Sequence, residues 1–150
     1  MTESLRTAAV VVTYNRLPLL RQCLAALTAQ TAPGLTIFLI DNASTDGTAE
    51  AVAAMALPNL VYRNTGKNLG GAGGFAYGVR EAALAGYDAL WLMDDDTLPT
   101  HTALAEFLQA DRDLHGRYGW LSGRALAPDG TDQPMNLQRV TPYKDLPSFD

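Results

Sequence analysis

The stretch Ala8-Ala9-Val10-Val11-Val12-Thr13-Tyr14-Asn15 gives the first indication of the fold. Its first five residues form an unbroken apolar run that contains three consecutive β-branched residues, and the run ends abruptly at polar residues. Such a run is typical of a strand that is buried on both faces, as strands are in a parallel sheet covered by helices. The stretch therefore predicts a buried strand followed by a polar turn.

Outward from this strand, apolar runs alternate with helical patterns. Leu20, Cys23, Leu24 and Leu27 recur at helical spacing, after Pro18 and before the helix-stopping pair Pro33-Gly34. Further strands are predicted at Leu35–Ile40, Leu60–Arg63 and Ala89–Met93, with Trp120–Ser122 as an additional candidate. Further helices are predicted at Thr48–Ala56 (with Asp46 as its cap), from Phe75 to Gly86, and from about Thr100 to Leu114. This alternation predicts an α/β fold with a mostly parallel sheet and helices on both faces.

Length and composition indicate one globular domain, since the chain has 150 residues, of which 47% are hydrophobic. Its net charge of −5, without a stripe of basic residues, disfavours nucleic-acid binding. Cys23 is a single cysteine, which excludes an internal disulfide and fits a reducing, cytoplasmic location. No apolar run approaches the roughly 18 residues of a transmembrane segment, and the first residues do not resemble a signal peptide.

The end of the sequence differs from the rest in composition. Residues 128–150 contain Pro128, Pro134, Pro142 and Pro147, four of the eight prolines, and show no clear period. We therefore expect a packed domain at residues 1–127, followed by a proline-rich tail at residues 128–150.

Polar segments follow each predicted strand. They are Tyr14-Asn15, Asp41-Asn42, Asn64–Gly74 and Asp94–Asp96. Because the carboxyl ends of parallel strands lie at one edge of a sheet, and open α/β sheets bind ligands there, these segments are predicted to converge on one site.

Asp94-Asp95-Asp96 directly follows an apolar strand, so three carboxylates repel one another unless a cation compensates them. Mg²⁺ typically takes one or two carboxylates together with water and substrate phosphates, a role that Asp94 and Asp96 could fill. The alternative is a solvated turn before the next helix.

Asn68-Leu69-Gly70-Gly71-Ala72-Gly73-Gly74 precedes a predicted helix, so its backbone N–H groups could approach an anion. The alternative for Gly73 and Gly74 is that glycine permits a tight turn and close packing of the helix. Similarly, Asp41 could cap the turn that follows it, and Tyr14 could belong to the core.

Four ordered motifs in the chain together resemble the inverting family 2 glycosyltransferases of the GT-A fold. They are Val11-Val12-Thr13-Tyr14-Asn15-Arg16, Asp41-Asn42-Ala43-Ser44-Thr45-Asp46-Gly47-Thr48, Asn68-Leu69-Gly70-Gly71 and Met93-Asp94-Asp95-Asp96. The glycine-rich stretch is most similar to the galactofuranosyl- and rhamnosyltransferase branch. The resemblance implies a Rossmann-like domain that binds a nucleoside-diphosphate sugar.

By this resemblance, Thr13, Tyr14 and Asn15 would lie along the base and ribose, and Asp41 would accept a hydrogen bond from the ring N–H of uracil or thymine. Asn68, Gly70 and Gly71 would line the nucleoside. Asp94 and Asp95 would lie beside the donor, and Asp94 and Asp96 would hold Mg²⁺ or Mn²⁺. The donor would be linked to UDP or dTDP, and the acceptor would be a hydroxyl of a glycan or lipid-linked molecule in polysaccharide or cell-wall synthesis. The expected location is cytoplasmic, or peripheral at the inner face of a membrane.

An inverting transferase also needs a general base, which in this family lies well beyond the aspartate motif. We expect that base beyond Asp150, with this chain as the donor-binding half of a larger enzyme. Two other functions remain open. Asp94-Asp95-Asp96-Thr97 is similar to the D-x-D-x-T motif of haloacid-dehalogenase phosphatases, although its threonine comes one position early. A non-catalytic module that binds nucleotide sugars is the other alternative.

Overall fold

The centre of the protein is a parallel sheet of four strands, seen in a computed structural model that describes residues 5–136. The strands are β1 (Thr7–Thr13), β2 (Thr36–Asp41), β3 (Leu60–Asn64) and β4 (Ala89–Asp94), and their spatial order is β3-β2-β1-β4. The helices are α1 (Leu17–Thr28), α2 (Thr48–Met55), α3 (Gly70–Leu84) and α4 (Ala103–Leu114). This confirms the predicted α/β class and the alternation of strands and helices.

β1 is buried along its whole length, as its apolar run predicts. Its side chains alternate between two apolar clusters on opposite faces of the sheet. Ala9 and Val11 pack with α1, α2 and α4, whereas Ala8, Val10 and Val12 pack with α3. Helices therefore cover both faces, and β1 is fixed from both sides.

β4 differs from the prediction of a fully buried strand. It pairs with β1 on one side only within the described residues, and Leu92 is 48% exposed. Met93 is buried against the cluster that contains α1. An apolar run does not reveal where its strand lies in the sheet, because a central strand and an edge strand can have similar sequences.

α3 begins at Gly70, five residues before the predicted start at Phe75. Glycine has a low helix propensity, but here tertiary packing outweighs it. A Cβ atom on Gly74 would lie 2.6 Å from Cγ1 of Val12, and one on Gly78 would collide with Val10 and Ile40. The glycines thus allow α3 to approach the sheet closely, as the packing interpretation of Gly74 predicts.

After α4, regular structure is sparse. Trp120–Ser122 does not form the predicted additional strand, and Trp120 is 80% exposed. Leu126 and Asp132 form an isolated antiparallel bridge, and Pro134–Asn136 forms a 3₁₀ turn. Residues 137–150 of the predicted tail lie outside the described residues, and the division after residue 127 stays a prediction. No helix within residues 5–136 has the length and hydrophobicity needed to cross a membrane.

Candidate nucleotide-sugar site

The predicted polar segments share one end of the sheet, the end where the carboxyl termini of the strands lie. Thr13 is aligned with Asp41, Asp41 with Asn64, and Val12 with Asp94. The ends of all four strands therefore lie side by side, as the parallel arrangement requires. Only β1 lies between β2 and β4. Because all three strands run parallel and in this register, Asp41 and Asp94 lie at the same end of the sheet.

The order of the strands reverses at β1. From β1 the chain adds β2 and β3 on one side, and it then returns to place β4 on the other side. Such a reversal opens a crevice at the carboxyl ends of the strands, where open α/β sheets bind ligands. Here the loop after β1 and the Asp94–Asp96 turn border that position.

The three aspartates of this turn have different surroundings. Asp95 is only 2% exposed, whereas Asp94 and Asp96 are exposed. The Thr13 hydroxyl donates to Oδ2 of Asp95 at 2.7 Å, and the Arg16 guanidinium contacts Oδ1 at 3.2 Å. Asp95 therefore joins the end of β4 to the end of β1, and Asp94 and Asp96 remain accessible.

The pKa of Asp95 is raised, chiefly by burial and further by the charges of Asp96 and Asp94. The hydrogen bond from Thr13 and the charge of Arg16 lower the pKa and so oppose this shift. Burial, with smaller contributions from Asp95 and Asp96, also raises the pKa of Cys23 to about 12. Cys23 is completely buried in α1, so it is a neutral core thiol, as its position on the apolar face of that helix predicts.

Hydrogen bonds tie the loop after β1 to the loop after β2. Asn15 has a positive φ of 53°; its backbone N–H donates to Oγ of Ser44 at 2.9 Å, and its Oδ1 accepts from the N–H of Thr45 at 2.7 Å. Asp46 accepts from the N–H of Leu17, the first residue of α1, and from the hydroxyl and N–H of Thr48. Asp46 thus stabilises the start of α1 and also the start of α2, the helix that it was predicted to cap. The N-cap position of α2 itself is occupied by Gly47.

Asp41 lies beneath the second loop rather than at the surface. It is 0% exposed; Oδ1 accepts from the N–H of Ser44 at 2.8 Å, and Oδ2 accepts from the Tyr62 hydroxyl at 2.6 Å. The carboxylate therefore has no surface open to a nucleobase in this structure. The observed contacts match the alternative in which Asp41 stabilises the turn after β2.

The remaining predicted residues border the same edge. Tyr14 is 44% exposed and so is not a core residue. Asn68 is exposed, and its Oδ1 accepts from the N–H of Gly70 at 2.8 Å. Gly70 and Gly71 begin α3, and nothing lies within 4 Å of a Cβ placed on either. The N-terminus of a 15-residue helix, with its partial positive charge, therefore lies open beside the loops.

Asp94 and Asp96 fit a hard divalent cation in their chemistry, because both present exposed carboxylates. Within residues 5–136, no three His, Cys, Asp or Glu side chains form a cluster that could hold a metal by themselves. A metal held by these two aspartates would need oxygens from another molecule, and diphosphate supplies such oxygens.

Sequence reasoning missed two residues of this site. Arg16 contacts Asp95 and also Asp96, at 3.1 Å, and Tyr62 holds Asp41. Arg16 is the last residue of the first motif, and the segments after the first and fourth strands were predicted to converge. A positive charge in one segment and three aspartates in the other were therefore a usable signal for an ion pair. Tyr62 offered none, because its partner lies on a neighbouring strand whose register was unknown.

Comparison with known proteins identifies the family. The model of glycosyl transferase family 2 matches residues 8–118. The chain is 36% identical over 115 residues to galactofuranosyltransferase GlfT1 of Mycolicibacterium smegmatis, covering 77% of this chain and 38% of that protein. It is 44% identical over 61 residues to the N-acetylglucosaminyl-diphospho-decaprenol L-rhamnosyltransferase of Mycobacterium tuberculosis, covering 41% of this chain and 20% of that protein. The chain thus spans less than two fifths of the length of these relatives.

Solved structures agree on the fold. The mannosyltransferase PcManGT of Pyrobaculum calidifontis, in complex with GDP-Man and Mn²⁺, superimposes with a TM-score of 0.66 at 26% identity, covering 85% of this chain and 37% of that one. S. aureus TarS in complex with UDP-GlcNAc gives a TM-score of 0.65 at 21% identity, covering 73% and 32%. These similarities confirm the predicted GT-A fold, and the family match favours it over the phosphatase alternative. On the evidence of its motifs, its sheet and its relatives, the chain belongs to glycosyl transferase family 2.

Proposed function

We propose that this chain binds the donor for an inverting, metal-dependent glycosyltransferase that moves a sugar from a UDP- or dTDP-linked donor to a hydroxyl of a glycan or lipid-linked acceptor. The proposal rests on one observation: exposed groups of different chemistry lie together at the carboxyl end of the sheet. They are the ring of Tyr14, the open start of α3, and the carboxylates of Asp94 and Asp96. The galactofuranosyl- and rhamnosyltransferase relatives support a role in cell-wall or polysaccharide synthesis.

The predicted site residues divide into an exposed group and a buried group. Tyr14 offers an aromatic ring for a base or ribose, and Asn15 positions the loop after β1 through its hydrogen bonds to Ser44 and Thr45. Asn68 positions the start of α3 through its hydrogen bond to Gly70. We assign Thr13 and Asp95 to holding the two strand ends together, because both are buried and bonded to each other. Their effect on the donor would therefore be indirect.

Mg²⁺ or Mn²⁺ on Asp94 and Asp96 would act as a Lewis acid for the departing nucleoside diphosphate. The protein's own contribution is to fix these carboxylates on a turn anchored through Asp95, so that little reorganisation is needed when charge develops. An Mn²⁺ ion is present in the GDP-Man complex of the mannosyltransferase structure, which supports this assignment. The acceptor hydroxyl also requires a general base, and we assign that role to none of the described carboxylates.

Calorimetric titration tests the donor proposal. We expect UDP or dTDP, with Mn²⁺, to bind more tightly than ADP, as a pyrimidine-binding site requires. Asp41 would influence this preference by holding the loop after β2 or, if that loop moved, by meeting the base directly. Equal binding of all three nucleotides would contradict the pyrimidine preference, and no binding of any would contradict donor binding.

Asp96→Ala tests the metal role. We expect UDP binding in the presence of Mn²⁺ to weaken about tenfold or more, because a contact to a charged group contributes about 1.5–3 kcal/mol. Asp113→Ala removes an equal charge from the exposed face of α4 and should leave the affinity unchanged. Metal-independent UDP binding, or equal effects of both substitutions, would contradict the metal role.

A further inference from the structure

We propose that Arg16 is an internal counter-ion that occupies Asp96 before the donor arrives and yields it to the metal when the metal comes together with diphosphate. This inference rests on the proposed function and adds that metal binding depends on diphosphate. The metal alone binds poorly, and the metal together with diphosphate binds well. The carrying observation is that one guanidinium contacts both Asp95 and Asp96.

The backbone of Arg16 is firmly held. Its carbonyl oxygen accepts from the N–H groups of Leu19 and Leu20, both at 3.0 Å, and it is the N-cap of α1. The next residue, Leu17, is bonded to Asp46. Only the side chain of Arg16 can therefore move easily, and its guanidinium lies at the Asp94–Asp96 turn from a fixed starting point.

The two ion pairs of Arg16 are unequal in exposure. The Asp95 side chain is 3% exposed, whereas the side chains of Asp96 and Arg16 are 46% and 48% exposed. A pair between exposed groups is weak because water competes with it, but a buried carboxylate depends on its partners. Arg16 can thus release Asp96 at little cost while it still compensates the charge of Asp95.

A divalent cation that approaches Asp96 alone must displace the guanidinium and remain close to its positive charge. Diphosphate removes both obstacles, because it brings negative charge and because its oxygens are good partners for a guanidinium. Metal and nucleoside diphosphate should therefore favour each other's binding, and this coupling is reciprocal.

The test measures Mn²⁺ binding without nucleotide, by calorimetry and by the electron paramagnetic resonance signal of free Mn²⁺, in the 150-residue chain. We expect Arg16→Gln to bind Mn²⁺ alone about three- to tenfold more tightly than the wild type, because a unit positive charge near the metal is removed. We expect UDP binding in the presence of saturating Mn²⁺ to weaken severalfold in the same variant. A residue with a merely structural role would not increase metal affinity when replaced.

Arg21→Gln is the matched control, since Arg21 lies exposed on α1 and makes no ion pair in the described part of the chain. It should change neither affinity. Unchanged or weaker binding of Mn²⁺ to Arg16→Gln, or an equal increase in Arg21→Gln, would overturn the inference. If the wild type binds Mn²⁺ but no UDP, the proposed function fails, and the Mn²⁺ comparison still decides the role of Arg16. Arg16→Met, which keeps the aliphatic stem, serves if the glutamine variant does not fold.

Discussion

In each of two buried carboxylates at the carboxyl end of the sheet, one oxygen accepts a hydrogen bond from a hydroxyl group on a neighbouring strand. Thr13 donates to Asp95 at 2.7 Å, and Tyr62 donates to Asp41 at 2.6 Å. Leaving a buried polar group without its partner costs about 1–3 kcal/mol. The stability of this end of the sheet therefore depends on two hydroxyl groups that need not contact the nucleotide sugar themselves.

Thr13→Val keeps the shape of the side chain and removes the hydroxyl. We expect the free energy of unfolding to fall by about 1–3 kcal/mol, because Asp95 loses a donor. Thr7→Val on the same strand is the control, since its hydroxyl makes only a long bond of 3.4 Å to the carbonyl of Leu5. Urea unfolding measures both, and equal losses would show that the Thr13–Asp95 bond contributes nothing particular.

Tyr62 should make the stability of the protein sensitive to alkaline pH. Burial, followed by its hydrogen bond to Asp41, raises the pKa of Tyr62 to about 12, above its ordinary value of 10. The folded state thus holds this proton more tightly than the unfolded chain, so the contribution of Tyr62 is complete below pH 10 and disappears as pH rises through about 12. Tyr62→Phe should lose this part of the alkaline destabilisation in urea unfolding between pH 9 and 12, and a slope equal to that of the wild type would refute it.

At the level of elements, α3 shows how packing sets the position of a helix. Its glycines are spaced so that Gly74 and Gly78 face Val12, Val10 and Ile40 of the sheet. Gly71 in the first turn faces open space. Glycine is thus required at some positions of the helix and merely tolerated at others.

Gly78→Ala should destabilise the protein, because its Cβ would collide with Val10 and Ile40 and push α3 away from the sheet. We expect a loss of about 1–3 kcal/mol, typical of overpacking. Gly71→Ala is the matched control and should be neutral or should stabilise by about 0.5–1 kcal/mol, because alanine favours the helix and nothing lies within 4 Å of it. Thermal unfolding compares the two, and a similar change in both would rule out close packing as the reason for Gly78.

These elements also show what sequence reasoning can reach. The apolar runs predict the four strands, and the spacing of Leu20 to Leu27 predicts α1, because burial imposes those periods on the sequence. The same reasoning wrongly predicts a strand at Trp120–Ser122. The early start of α3, the edge position of β4 and the burial of Asp41 depend on contacts between distant segments. Such contacts leave no local period, so the motifs predicted which segments share the carboxyl end of the sheet but not which of their carboxylates are buried.

For the whole molecule, stability should be distributed unevenly. β1 and β2 are buried and paired on both sides, whereas most of Gly119–Arg124 is exposed. We expect hydrogen exchange followed by mass spectrometry to show slow amides in β1 and β2, which open only with global unfolding, and fast amides in Gly119–Arg124. Equally slow exchange in both regions would contradict the sparse structure seen after α4.

The open side of β4 has a consequence for handling the protein in the laboratory. Within the described residues, a strand with one partner leaves backbone donors and acceptors free along its other side, and Leu92 adds exposed apolar surface there. Such an edge is a template on which a second chain can align, and the net charge of −5 opposes this only while salt is low. Concentrated samples of the 150-residue chain should therefore scatter more light as sodium chloride is added, and Leu92→Lys should suppress that increase.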